Sequence, residues 1–304
     1  MPIGGINILL MNIIEDLKLQ FKIGDVLTKL IFWNIAIFAI ASVVFGILPL
    51  FKISIDFLSY VSLSSNPIDL LWKPWSIFTF AFCHSSILHI LFNLIMLHFA
   101  GRLFLIFFNQ KQLLSLYFVG SLFAGLIFVL SYMFFPALAN VSTALVGASA
   151  SVMAILFATV TYSPSMNIRL LLFGNVKLWH IASVLIVIDL FQLPMENTGG
   201  HLAHIGGAFF GYIYIRLLKN GIDICNWFTS LLDFFSIIFG SRKSKPFKKV
   251  HRTYKAPVVK RASKIVSKDK VQQQIDEILD KISQSGYDSL SSEEKEFLFK
   301  AGKQ

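Results

Sequence analysis

Six long apolar stretches set what this chain can fold into. They run over roughly 28–50, 86–107, 112–134, 145–162, 168–192 and 201–219. Each is close to the ~20 residues of helix that cross the hydrocarbon core of a bilayer. With 55% hydrophobic and 14% charged residues, the mean hydropathy of +0.68 is one that soluble proteins rarely reach. The expected fold class is all-α: a polytopic membrane protein built as a six-transmembrane-helix bundle. The longest connection, 51–85, contains "LWKPWSIFTFAF", whose two tryptophans suit a chain lying in the membrane interface.

Lys and Arg orient the spans. Lys18, Lys22 and Lys29 lie at the start of the first span, Arg102 and Lys111 flank the second turn, Arg169 and Lys177 follow span four, and Arg216 and Lys219 end span six. The opposite connections hold Lys52 and Lys73, with no base in 135–144 or 193–200. The positive-inside rule therefore puts both termini in the cytoplasm and the 1–2, 3–4 and 5–6 connections outside. Residues 1–27 carry acids and lack a basic start followed by an apolar core, so they read as a cytoplasmic segment rather than a cleavable signal. An integral protein of a bacterial-type inner membrane is expected.

Beyond the 28–220 core, residues 221–240 carry Asp223, Asn226, Ser230 and Asp233 at helical spacing. One polar stripe on an apolar helix suits an interfacial helix better than a seventh span. Residues 241–270 hold twelve bases against Asp269 alone and contribute +11, more than the whole net charge of +10. Such a linker is expected to sit on anionic headgroups. Nucleic acid is not an expected partner, because Tyr254 is the one aromatic interleaved with the Lys and Arg run after Phe247. In 271–304, Val271, Ile275, Ile278, Leu279 and Ile282 share a helix face, Gly286 breaks it, and Ser291 with Glu294 forms a capping box before Phe297 and Leu298. A small cytoplasmic helical hairpin is expected, too short to hold a core alone.

Polar residues inside spans need a reason, because unpaired ones are costly in hydrocarbon. Three clusters qualify. His89 and Asn93, four apart in "CHSSILHILFNLIMLH", share one face at the start of span two. Gly147, Ser149 and Ser151 open span four, and "HLAHIGGAFFG" opens span six. By the orientation above, all three enter from the outer side at similar depth. His204, Gly207 and Gly211 lie on one face, and GxxxG lets another backbone come close. Ala150, Ala154 and Ala158 give span four a matching surface. Two such faces packed together bring Ser149 and His204 within reach, so that a neutral imidazole can take the serine proton.

These residues resemble the rhomboid family of intramembrane serine proteases, over the whole of 28–220. The matching elements are Gly147-Ala148-Ser149-Ala150, Ala203-His204 through Gly207 and Gly211, and His89 through Asn93. Ala150 stands where the family commonly has glycine. The resemblance implies a Ser149 nucleophile with His204 as its base, no cofactor, and substrates that are transmembrane segments of other proteins. It implies His89 and Asn93, with the Ser149 N–H, as oxyanion donors, and Gly147 as room beside the nucleophile. Activity at the outer face on helix-weak segments is the expected function. The alternative is an inactive rhomboid-like binder of membrane clients, and retention of both Ser149 and His204 argues against it.

Other residues carry blander expectations. Ser151 faces another side of its helix and is expected to bond a carbonyl a turn back. His201 is expected at the interface, and His84 is not expected to be catalytic. A metal site from His84, His89 and His204 has no HExxH and no matching carboxylate, so no metal is expected. Cys83 and Cys225 are far apart and form no CxxC pair.

Overall fold

The computed structural model describes residues 14–170, 174–195, 197–239 and 265–301. The chain divides into two compact units, Met1–Arg242 and Lys243–Gln304. In the first unit the principal helices are α1 (Val26–Ile47), α2 (Ile87–Phe107), α3 (Gln110–Phe134), α4 (Ser149–Tyr162), α5 (Leu178–Gln192), α6 (Thr198–Leu218) and α7 (Asn226–Phe239). Short helical turns fill the 51–85 connection.

Local chemistry starts three of these helices. The Asp25 carboxylate accepts from the Thr28 backbone N–H at 2.9 Å and from its hydroxyl at 2.8 Å. Ser86 accepts from the His89 N–H. Asn109 and Gln112 close a reciprocal capping box, each bond 3.0 Å. These side chains satisfy donors that every helix N-terminus leaves open.

Among the described residues, three segments are long and apolar enough to cross a membrane: Val26–Phe51, which joins α1 to the turn after it, α2 and α3. α4 and α5 are apolar but shorter, at 14 and 15 residues. The chain is a membrane protein. Trp33, Ile40 and Val43 on α1, and Leu88, Phe92 and Ile95 on α2, are exposed, which in hydrocarbon costs nothing and lets these faces meet lipid.

α4 is the axis of the unit, packed against α6, α2 and α3. Ala150 through Leu156, Ala158 and Thr159 are all buried. At about 1.5 Å per residue α4 is about 21 Å long, short of the ~30 Å hydrocarbon thickness. It is enclosed by neighbouring helices and needs no lipid-spanning length. The 51–85 connection is tied onto this core. Leu63–Ser64 (β1) pairs antiparallel with Ala144–Leu145 (β2), the Tyr117 hydroxyl donates to Ala81 O at 2.8 Å, and the Trp75 indole donates to Tyr60 O at 2.8 Å.

Several expectations need correction. Span four was expected from 145, but residues 144–145 are strand and the helix begins at Ser149. Span five was expected from 168, but Asn167–Leu170 (β3) and Gly174–Lys177 (β4) form an antiparallel hairpin, and α5 begins only at Leu178. The all-α class therefore holds for the bulk of the chain, with two small two-stranded ladders among the described residues.

α7 lies against α3: Lys111 Nζ pairs with the Asp233 carboxylate at 2.6 Å, and Phe228 packs on Phe118 with ring centroids 5.3 Å apart. In the second unit, α8 (Ile265–Ser285) and α9 (Ser292–Ala301) are joined through Gly286, at φ +78°, and a turn at Tyr287–Ser289. α8 thus starts six residues before the expected hairpin boundary. Ser291 and Glu294 form the expected box: the Ser291 N–H donates to Glu294 Oε2 at 2.7 Å and the Glu294 N–H donates to Ser291 Oγ at 3.2 Å. Most of the basic linker, 240–264, lies outside the described residues, as do residues 1–13.

Candidate active site

Ser149 is the first residue of α4, and the chain reaches it through a turn only glycine suits. Gly147 sits at φ +117°, and a Cβ there would lie 2.8 Å from His89 Nε2. Its N–H is held by Phe80 O at 2.9 Å. The turn leaves β2 and delivers Ser149 to the opening turn of a helix. There, backbone N–H groups have no partner within the helix and the helix dipole favours negative charge. No side chain caps this terminus, and Ser149 itself lines the cavity beside it.

His204 comes from the second turn of α6. α6 can approach because Gly207 and Gly211 face α4. A Cβ at Gly207 would lie 3.1 Å from Ala150 C and closer still to Ala150 O. A Cβ at Gly211 would lie 2.9 Å from Ala158 N and closer still to Ala154 O. The two backbones are nearly in contact, and His204 Nε2 rests 2.7 Å from Ser149 Oγ.

Behind His204 lies a residue that the sequence reading passed over. Asp189, near the end of α5, places Oδ1 2.9 Å from His204 Nδ1 and 2.8 Å from His201 Nδ1. The side chains of Asp189, His201 and His204 are 7%, 11% and 24% exposed. A carboxylate has only acceptor sites, so each Nδ1 carries a proton and donates it. That tautomer leaves a lone pair on His204 Nε2, which can accept the Ser149 hydroxyl proton.

His89 and Asn93 line the same cavity, about 980 Å³, as Ser149, Asp189 and His204. His89 Nδ1 lies 3.1 Å from Ser85 Oγ and accepts from the Ser85 backbone N–H at 3.5 Å. A backbone N–H can only donate, which puts the proton on Nε2, beside Gly147. Asn93 Nδ2 gives one hydrogen to His89 O at 2.9 Å and has a second to offer.

A model of the rhomboid domain matches residues 71–221, the stretch that contains every residue of this cavity. The chain belongs to the rhomboid family. It is 28% identical over 138 residues to the presenilin-associated rhomboid-like protein A, mitochondrial, of Danio rerio; this covers 44% of the present chain and 35% of that protein. The chain thus aligns with about a third of the relative's length. A separate family of unknown function matches residues 266–302, which coincides with the α8–α9 hairpin.

Within the rhomboid domain, two blander expectations fail. His201 is buried and bonded to Asp189 rather than interfacial. Ser151 Oγ is buried with no hydrogen-bond partner among the described residues, so it does not bond the carbonyl a turn back. His84 packs edge-on against His89, ring centroids 5.2 Å apart, outside the cavity that holds Ser149. The metal ligands weighed from sequence are not the ones that gather. Asp189, His201 and His204 bring ligand atoms within 4.8 Å of one another, but both imidazole N–H groups already donate to the carboxylate. Asp189 had left a signal in the sequence: it is the only Asp or Glu in the six apolar stretches.

Proposed function

We propose that this rhomboid-family protein is a serine-type endopeptidase that cleaves helix-weak transmembrane segments of other proteins, near the outer face of the membrane. The observation that carries this reading is the 2.7 Å separation between His204 Nε2 and Ser149 Oγ in a cavity of about 980 Å³. In the proposed reaction His204 takes the Ser149 proton as Oγ attacks a substrate carbonyl. The oxyanion that forms faces the Ser149 N–H at the start of α4, with His89 Nε2–H and the free Asn93 Nδ2–H beside it. Such donors act on charge that exists only in the transition state. His204 then returns its proton to the leaving amine, and water resolves the acyl-enzyme by the same route reversed.

Substrate demands follow from helix chemistry. A helix hides its carbonyls in i to i−4 bonds, so a cleavable segment must unwind, which Gly, Pro or small residues permit. Met153, Val152, Phe92 and Met96 give the cavity apolar walls for a segment leaving lipid. Binding of the basic linker to anionic lipid belongs to this proposal, with the hairpin on the cytoplasmic side.

The test is cleavage of a transmembrane reporter in proteoliposomes. Ser149→Ala and His204→Ala are each expected to abolish it, while Ser151→Ala, whose hydroxyl lies outside the cavity, keeps it. Wild-type protein that binds reporter but never cleaves it would favour the client-binding alternative. A loss confined to Ser151→Ala would move the nucleophile.

A further inference from the structure

Asp189 is the one acid in six apolar stretches, and its side chain is 7% exposed. A carboxylate in such surroundings is costly unless its neighbours satisfy it. Among the described residues its side chain bonds two imidazoles, and one of them belongs to the residue that touches Ser149. Packing does not require an acid there: Leu185 and Ile188, a turn and a residue before it, line the same cavity with hydrocarbon. What Asp189 adds is charge and hydrogen-bond direction, aimed at the far nitrogen of the base.

We propose that Asp189 is a positioning residue that turns the Ser149–His204 pair into a Ser–His–Asp relay, with His201 as a second donor that holds the carboxylate in place. The inference rests on the peptidase reading above. Three effects follow from the geometry. Oδ1 at 2.9 Å fixes the Nδ1–H tautomer, so Nε2 faces Ser149 Oγ as an acceptor. The same bond sets the ring's rotation from the side opposite Ser149. When Oγ–H breaks and the proton moves to Nε2, His204 becomes an imidazolium with both nitrogens protonated. The Nδ1 proton stays where it is, and the bond to the Asp189 carboxylate gains a charged donor, so it is stronger in the transition state than before it. No proton reaches Asp189. His201, on the same α6 turn as His204, donates to the same oxygen at 2.8 Å and pins Oδ1 between the two rings.

The experiment uses full-length protein in proteoliposomes, a transmembrane reporter, and rates normalised to folded protein. It compares wild type, Ser149→Ala, Asp189→Asn and Asp189→Ala, with and without added formate. Asp189→Asn keeps the size of the side chain and removes its charge. It is expected to lower kcat by at least about 10²-fold, toward the ~10⁴-fold loss seen when a triad loses its carboxylate, with KM within threefold of wild type. Asp189→Ala is expected to lose at least as much. It should recover kcat, tenfold or more, when formate supplies a carboxylate to the vacated space. An Asp189→Asn protein with kcat within threefold of wild type overturns the proposal. So does a fall in kcat accompanied by an equal rise in KM, or one in Asp189→Ala that formate does not relieve, because a scaffold residue behaves in that way. If wild type itself shows no Ser149-dependent turnover, the peptidase reading fails first and this inference falls with it; if wild type is active, the Asp189 variants judge the relay alone.

Discussion

Gly207→Ala adds one methyl group where α6 meets α4, one turn from His204. The new Cβ would lie 3.1 Å from Ala150 C and 3.4 Å from Ala150 Cα, with Ala150 O nearer than either. Ordinary contact begins at 3.4 Å, and the obstacle is backbone, which cannot rotate aside. The two helices must separate by roughly 1 Å, at an overpacking cost of about 1–3 kcal/mol. That shift acts on a hydrogen bond now 2.7 Å long. Misplacement on this scale costs about 10²-fold in rate, so reporter turnover should fall about a hundredfold, with a lower melting temperature. Gly206→Ala is the control. Its Cβ would approach Ile127 side-chain atoms at 3.0 to 3.3 Å, which can give way. Turnover there should stay within a few-fold of wild type. A Gly207→Ala protein with wild-type turnover and melting would refute the idea that backbone contact sets the site.

Two further outcomes are expected. His89→Ala and Asn93→Ala should each lower kcat by about 10²–10³-fold, the cost of losing one oxyanion donor, with KM little changed; an unaffected kcat in both would remove them from that role. Asp25, which caps α1, is pushed up by its partial burial, but the Thr28 backbone N–H and hydroxyl and Arg102 outweigh this and hold its carboxyl below the ordinary value. Its contribution is therefore present above the unfolded carboxyl's titration and lost as pH falls through the lower folded one. Asp25→Ala should cost about 0.5–2 kcal/mol near neutral pH, a difference that shrinks in acid melts; a constant difference would refute the cap's ionic character.

The parts of the fold that were legible in sequence are those set by local chemistry or by spacing along one helix. Ser291 with Glu294 announced a cap, and Gly207, Gly211, Ala150, Ala154 and Ala158 marked the faces on which α6 and α4 meet. What escaped depends on other kinds of information. "NIRLLLFGNVK" has a short apolar run at its centre, and such a run reads alike as strand and as helix; the hairpin shows only once β3 and β4 are paired. Leu145 reads as the start of a span, yet it is taken by Leu63, more than 80 residues away. The juncture at Ser149 follows from Gly147, whose positive φ a sequence does not print. Asp189 was visible as a lone acid, but its helix carries no motif. Its bearing on His204 depends on how α5 is rotated about its own axis, which hydropathy does not encode.

The central claim is that Ser149 is a nucleophile activated by His204, and covalent labelling tests it without any knowledge of the substrate. Protein in detergent is treated with a fluorophosphonate, and the adduct is mapped by peptide mass spectrometry. The account predicts one adduct, on Ser149, formed in wild type and in Ser151→Ala and absent from Ser149→Ala and His204→Ala. Labelling of another residue, or of Ser149 at an undiminished rate in His204→Ala, would contradict it.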